Sequence, residues 1–273
     1  MNTTLMLQCH REGAVAVFTL DRPKARNALS RQLCDELGRA LKQASEDESV
    51  SAVVLASSHP SVFIAGGDLG ELAALPMTLE GADKVLELGS LTLAVEACTV
   101  PVVAAVSGAA LGGGAEVTVA CDLVVMGPTA RIAFVHARMG LVPAWGGATR
   151  LEERVGALRA MELLLTARAI DAEEAFAIGL CNRRADNALI EALRLATAIA
   201  AHTRVAIAQL KRSIVSAREA RRGDSLNREA SAFRSAWGSA AHHAAFDALK
   251  AKRRGVGSPA PTDDTSAGSL TDS

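Results

Sequence analysis

The stretch from Gly108 to Glu116, Gly-Ala-Ala-Leu-Gly-Gly-Gly-Ala-Glu, constrains the fold more than any other part of the chain. It follows an apolar, strand-like run, Val102 to Val106, and precedes an apolar, helix-like run, Val117 to Cys121. Three consecutive glycines at a strand-to-helix junction let the backbone approach a ligand with no Cβ in the way. They also leave free N–H groups at the start of a helix, where partial positive charge collects. Such a place suits an anion, or an oxygen that becomes one during a reaction. Glu116 lies about one helical turn further on, close enough to reach the same ligand. A carboxylate beside an oxyanion site can move protons next to a carbonyl.

Around this junction the chain alternates strand-like and helix-like segments, which indicates an α/β architecture. Leu5 to Cys9 and Ala14 to Leu20 read as a hairpin joined by His10-Arg-Glu-Gly13. Ser30 caps a helix expected over residues 31–45, with Leu33, Leu37 and Leu41 on one apolar face. Val50 to Ala56 reads as a buried strand, and Asp68 as the cap of a short helix from Leu69. A further helix is expected over 82–97, before Pro101 opens the next strand. Asp122 to Met126 is another strand, and Asp171-Ala-Glu-Glu174 has the form of a capping box. From about Ala185 the sequence is Ala-rich and helix-forming, with no convincing strand. The expected organisation is an α/β core over 1–190, a helical region over 191–254 and a disordered tail over 255–273.

Bulk composition excludes several function classes. Hydrophobic residues make up 49% of the 273, so a sizeable core is available, but aromatics are only 3% and Tyr is absent. Ala, Leu and Val must therefore form that core. The net charge of −1 gives no global field that would favour nucleic acid or a membrane surface. The five cysteines, Cys9, Cys34, Cys98, Cys121 and Cys181, are scattered and form no CxxC pair, as expected of buried thiols in a reducing compartment. No signal-peptide pattern and no long apolar span are visible, so a cytoplasmic location is expected. No metal or redox cofactor is indicated.

A set of motifs in fixed order then resembles a known family. These are Arg22-Pro-Lys-Ala-Arg-Asn-Ala28, Phe63-Ile-Ala-Gly-Gly-Asp68, Pro101-Val-Val-Ala-Ala-Val-Ser-Gly108 and Ala110-Leu-Gly-Gly-Gly-Ala-Glu116. Ala120-Cys-Asp122, Gly140-Leu-Val-Pro143 and Gly146-Gly-Ala-Thr-Arg-Leu151 complete it. Together they resemble the crotonase superfamily, the enoyl-CoA hydratase/isomerase fold, over about residues 16–253. The resemblance implies a spiral of β-β-α repeats with a C-terminal helical region used in trimerisation, and a homotrimer or homohexamer. It implies acyl-CoA thioester substrates, the CoA being part of the substrate rather than a cofactor. It also implies that the N–H groups of Gly67 and Gly113 hold the thioester oxygen of an enolate-like state. Contacts to adenine and pantetheine fall near Lys24, Ala25, Arg26, Ala28, Ala65 and Gly66.

Hydratases of this family use two glutamates. Glu116 matches the first. The second sits in a Pro-Glu pair shortly before the Gly-Leu-Val-Pro segment, where this chain has Val135 and His136, so the second carboxylate is absent. Phe134-Val-His136, Met139-Gly140, Trp145-Gly-Gly147, Thr149-Arg-Leu151 and Ala236-Trp-Gly238 instead resemble the ethylmalonyl-CoA decarboxylase branch. An alkylmalonyl-CoA carries a carboxylate on its α-carbon. A second glutamate would repel it by about 4 kcal/mol at roughly 4 Å in an effective dielectric of about 20. Histidine can donate a hydrogen bond to it instead. The leading expectation is decarboxylation of a small alkylmalonyl-CoA, with Glu116, held protonated by apolar surroundings, as the proton source. The alternatives are an enoyl-CoA hydratase or isomerase and, in a different class, a non-catalytic scaffold or an RNA-binding member.

Several residues keep two readings at this point. His136 reads as a site residue or as a core histidine. Asp68 reads as a substrate contact or as a helix cap, the cap being favoured. Trp145 reads as a wall of the acyl pocket or as core filling. For His242 and His243 a surface or trimer-contact role is expected, since adjacent residues on a helix face different directions. Lys250, Lys252 and Arg253 read as CoA-phosphate contacts or as a solvated helix end.

Overall fold

A computed structural model describes residues 5–255 of the chain; the tail expected to be disordered lies, from 256 onward, outside the described residues. The opening segment is an antiparallel pair, β1 (Leu7–Glu12) and β2 (Val15–Leu20). The hairpin is as expected, but its turn is shorter: Glu12 pairs with Val15, so His10, Arg11 and Glu12 belong to the strand. β1 is a sheet edge with most of its residues exposed, and polar side chains suit an edge as well as they suit a turn. α1 (Arg31–Glu46) starts where the sequence predicts, with the Ser30 hydroxyl accepting the Leu33 N–H. Leu33, Leu37 and Leu41 are buried along one face of it.

Three consecutive passages of the chain then each supply one strand to each of two sheets. The pairs are β3 (Ala52–Ser57) with β4 (Val62–Ile64), β5 (Val102–Val106) with β6 (Ala109–Leu111), and β7 (Leu123–Met126) with β8 (Arg131–Ala133). Two-residue strands, β9 (Ile170–Asp171) and β10 (Arg183–Arg184), close the sheets. The larger sheet has the order β1-β2-β3-β5-β7-β10 and the smaller β4-β6-β8-β9. This is the β-β-α spiral. β3, β5 and β7 pair in parallel and read as unbroken apolar runs because both faces of their sheet are covered. Val53, Leu55, Val102 and Ala104 face the main core, while Val54, Ala56, Val103 and Ala105 face a second cluster with Ala188, Ala192 and Ala196. The latter three lie on α8 (Ala188–Ala200), inside which the expected boundary at 190 falls.

The remaining helices shape the site. α2 (Leu69–Ala74) is capped by Asp68. The single helix expected over 82–97 is two, α3 (Leu79–Leu88) and α4 (Ser90–Ala97), broken at Gly89. The cause is tertiary: a Cβ at Gly89 would stand 2.7 Å from Cδ1 of Trp145, whose indole fills the bend. α5 (Gly113–Ala120) begins inside the glycine triplet, and α6 (Gly147–Thr166) begins just after Trp145. α7 (Ala172–Ala177) is capped by Asp171, which accepts the Glu174 N–H as its capping box predicts. α9 (Arg204–Arg222), α10 (Ser225–Ala236) and α11 (Ala240–Gly255) form the helical C-terminal region.

Candidate active site

The glycine triplet does what its position suggests. Gly113 is the first residue of α5, so its N–H has no carbonyl within the helix to bond. The neighbouring Gly112 N–H is already engaged by the Ala133 carbonyl at 2.9 Å. Gly114 packs against β4 so closely that a Cβ there would collide with the Ile64 carbonyl, which fixes α5 on the smaller sheet. Gly67 forms a parallel bridge with Leu29. That bridge uses the Gly66 carbonyl and the Asp68 N–H, so the N–H of Gly67 itself faces away from Leu29. Gly67 and Gly113 both line one cavity of about 540 Å³, together with Ala65, Gly66, Glu116 and His136.

Glu116, in the first turn of α5, is 1% exposed. Its Oε2 accepts the N–H groups of Trp145 at 2.7 Å and Gly147 at 3.0 Å. Its Oε1 lies 3.0 Å from Nε2 of His136 and accepts a longer bond of 3.4 Å from the Ala144 N–H. The surroundings of the carboxyl differ from the apolar ones expected: three main-chain N–H groups donate to it. The one contact able to hold a proton is the bond between Glu116 and His136. His136 comes from a 3-10 turn, Val135–Met139, and its Nδ1 is buried without a hydrogen-bond partner among the described residues. Among the described residues, Glu116 is the only carboxylate lining this cavity.

The walls are apolar. Four of the chain's eight aromatic side chains, Trp145, Phe233, Trp237 and Phe246, line the cavity. Trp145 resolves its two readings by being both wall and core: it is 6% exposed, and its indole N–H donates to the Val85 carbonyl at 2.8 Å. A Cβ on Gly113 would collide with its ring, so the indole lies flush against the backbone that carries the free N–H. His242 is placed differently from expectation. It is 1% exposed, sits 4.7 Å from the Trp237 ring and 5.8 Å from the Phe246 ring, and lines the cavity. Its Nδ1 accepts the Gly238 N–H, and burial, then the neighbouring His243, lowers its pKa. His243 is exposed, so the two do face different directions.

Asp68 is a cap and not a wall. Its Oδ1 accepts the N–H groups of Gly70 and Glu71, and its Oδ2 accepts from Arg22 at 2.5 Å. Burial opposes ionisation there, but the Arg22 hydrogen bond and the two N–H donors outweigh it and lower its pKa. Lys24, Ala25, Arg26 and Ala28 lie on the 3-10 turn Pro23–Ala25 and the residues after it, and are not among the residues lining the cavity. That loop is tied to Ala65 by a bond from its N–H to the Arg26 carbonyl. Buried Asn27 anchors the loop from within, accepting the Arg22 N–H and donating to Ser57 and Phe63. Lys252 lines the cavity, whereas the side chain of Arg253 lies outside the described residues.

Two further glutamates escape a sequence reading. Glu229 on α10 accepts the Thr149 N–H and hydroxyl at 3.0 and 2.8 Å and the Ala148 N–H at 3.3 Å. Glu96 on α4 is surrounded by Arg150, Arg218 and Arg222 at 2.7–2.8 Å. Neither has a local motif, because the partners are distant in sequence: those of Glu229 lie on α6, and those of Glu96 on α6 and α9. Among the described residues no three His, Cys, Asp or Glu side chains converge as metal ligands, and no helix is long and apolar enough to cross a membrane.

The enoyl-CoA hydratase/isomerase family profile matches residues 10–255, and the chain belongs to that family, within the crotonase superfamily of enzymes. A probable enoyl-CoA hydratase of Mycobacterium leprae is 39% identical over 203 residues, covering 73% of this chain and 77% of the relative. The short-chain-enoyl-CoA hydratase of Clostridium acetobutylicum is 37% identical over 173 residues, covering 63% of this chain and 66% of the relative. Among solved structures, an enoyl-CoA hydratase/isomerase from Xanthobacter autotrophicus superposes with a TM-score of 0.85 at 26% identity. That match covers 93% of this chain and 97% of the other.

Proposed function

We propose that this enzyme decarboxylates a small alkylmalonyl-CoA through a thioester enolate. One observation carries the reading: among the described residues the cavity holds a single carboxylate, Glu116, and it is paired with a histidine. Water addition by two acids has no second acid to use. With His136 in place of a second glutamate, no second like charge opposes a substrate carboxylate. The thioester oxygen would sit on the N–H groups of Gly67 and Gly113, each such donor contributing about 2.7–4 kcal/mol of barrier lowering. When the C–CO₂ bond breaks, its electron pair passes into the thioester and CO₂ leaves. The α-carbon of the enolate then takes a proton from the Glu116–His136 pair, which solvent refills. The apolar walls leave room for a short alkyl group.

Hydration or double-bond isomerisation of an enoyl-CoA, with Glu116 as the single acid–base group, is the second reading. The names of the curated relatives favour it. In either case CoA would run past Ala65 and Gly66 toward Lys24 and Arg26. We further infer a homotrimer or homohexamer, supported by the exposed stripe of Leu158, Met161 and Leu165 on α6. No cofactor is required by this chemistry, and a cytoplasmic location accompanies it.

The test is a mass-spectrometric assay of the purified enzyme with ethylmalonyl-CoA, methylmalonyl-CoA and crotonyl-CoA in parallel. Butyryl-CoA or propionyl-CoA above the enzyme-free control is the expected result. Conversion of crotonyl-CoA alone, with both malonyl forms untouched, establishes the second reading and removes the first.

A further inference from the structure

Two buried carboxylates share one helix start. The N–H of Gly147 bonds Glu116, and the next two, Ala148 and Thr149, bond Glu229. Glu229 is not part of the cavity lining, yet it meets the same first turn of α6 from the opposite element, α10. We propose that Glu229 is a positioning residue whose charge sets the proton affinity of the Glu116–His136 pair. This rests on Glu116 acting as the acid–base group and holds for either reaction proposed above.

The coupling between the two carboxylates is electrostatic. The positive end of a helix is a shared resource, and two anions on adjacent N–H groups raise the cost of each other's charge. Burial, then the charge of Glu116, pushes the Glu229 carboxyl above its ordinary pKa, and the coupling acts in both directions. Other charges near Glu229 are occupied elsewhere. On α6, Arg150 is held by Glu96 and the Trp145 carbonyl, Glu153 by Arg222, Arg154 by the carbonyls of Val119 and Cys121, and Glu152 is exposed. On α3, Asp83 pairs with Arg234 of α10, Glu80 with Lys84, and Glu87 with Arg31 of α1. On α10 itself, Arg228 bonds Ser225. The charge left facing Glu229 is that of Glu116, with His136 behind it.

Removing the Glu229 charge should let the Glu116–His136 pair release its proton more easily. In Glu229→Gln, the limb of the pH–kcat/KM profile that reports the pair is expected to move to lower pH by roughly one unit. The profile is taken with whichever of ethylmalonyl-CoA or crotonyl-CoA the parent converts. Thr149→Val removes the hydroxyl bond to Glu229 but no charge, and should lower Tm while leaving the limb in place. A purely structural Glu229 would instead give two variants with lowered Tm and unmoved limbs, which overturns the proposal. A reciprocal measurement needs neither substrate nor a change at Glu229. In glutamate-labelled protein followed by carboxyl ¹³C NMR, the Glu229 signal should titrate at lower pH in Glu116→Gln than in the parent. An unchanged titration overturns the coupling whichever reaction the enzyme performs.

Discussion

Glu96 and Glu116 are both buried, both on helices that flank Trp145, and held in opposite ways. Glu96 is locked by three guanidinium groups. Glu116 is held by main-chain N–H groups and one imidazole. Arginine cannot give up its proton in a protein, so the Glu96 cluster has one charge state and one geometry. The Glu116 cluster has an imidazole in place of guanidinium groups, so its side-chain partner does not fix one charge state. The two meet at Trp145: its N–H bonds Glu116, and its carbonyl accepts from Thr92 and Arg150, the latter bridging to Glu96. On the function proposed above, the contrast is between a carboxylate that holds helices together and one that moves a proton.

The comparison breaks first at Glu116. In Glu116→Gln, turnover is expected to fall about 10²–10⁴-fold, the range for a lost acid–base group. If the reaction is decarboxylation, butyryl-CoA formed in D₂O should also lose its single configuration at the labelled carbon, because the enolate is then protonated by water. Chiral analysis of that product, together with kcat, is the check. A variant that keeps a tenth of the parent rate and its stereochemistry removes Glu116 from the chemistry.

Glu96 should answer to pH and stability rather than to chemistry. Burial alone would raise its pKa, but hydrogen bonds from Arg222 and the charge of Arg150 bring it down to about 2 from 4.5. A lowered folded-state pKa stabilises the fold above the unfolded value and loses that contribution as pH falls through the folded one. The contribution is on the order of 3 kcal/mol. Thermal stability should therefore decline as pH drops from about 4.5 toward 2, and Glu96→Gln should flatten that decline. Because the variant leaves buried arginines without their partner, it should also lose about 3–5 kcal/mol at neutral pH. Urea unfolding at several pH values measures both effects.

Much of this architecture is legible in the sequence because its causes are local. The Ser30 and Asp171 caps, the Leu33–Leu37–Leu41 face and the glycine start of α5 each arise within a few residues, and each is found where expected. The family resemblance adds Gly67 and Gly113 as cavity residues. What the sequence hides is tertiary. β9 and β10 have two residues each, too few to carry a period of two, and exist only because a neighbouring strand offers an edge. The break at Gly89 needs an indole from residue 145. The burial of His242 needs Trp237 and Phe246 on either side, and no pattern within α11 distinguishes it from exposed His243. Glu229 carries no signal at all, since its partners lie 80 residues away on another helix.

The smallest expected effect is also the sharpest probe of how the two glutamates are joined. Trp145→Phe keeps the main-chain N–H that bonds Glu116 and the carbonyl that Arg150 holds. It removes the indole N–H bond to Val85, worth about 1 kcal/mol, and part of the surface against Gly113. If the backbone of residue 145 alone couples the clusters, the variant should lose roughly 1–2 kcal/mol of stability with a change in kcat of less than about tenfold. If the indole's contact with Gly113 helps aim the oxyanion N–H, kcat should fall further while KM holds steady. That interaction would then count only in the transition state. The split between kcat and KM, read beside the urea midpoint, decides whether Trp145 connects the two carboxylate clusters through its main chain or also through its ring.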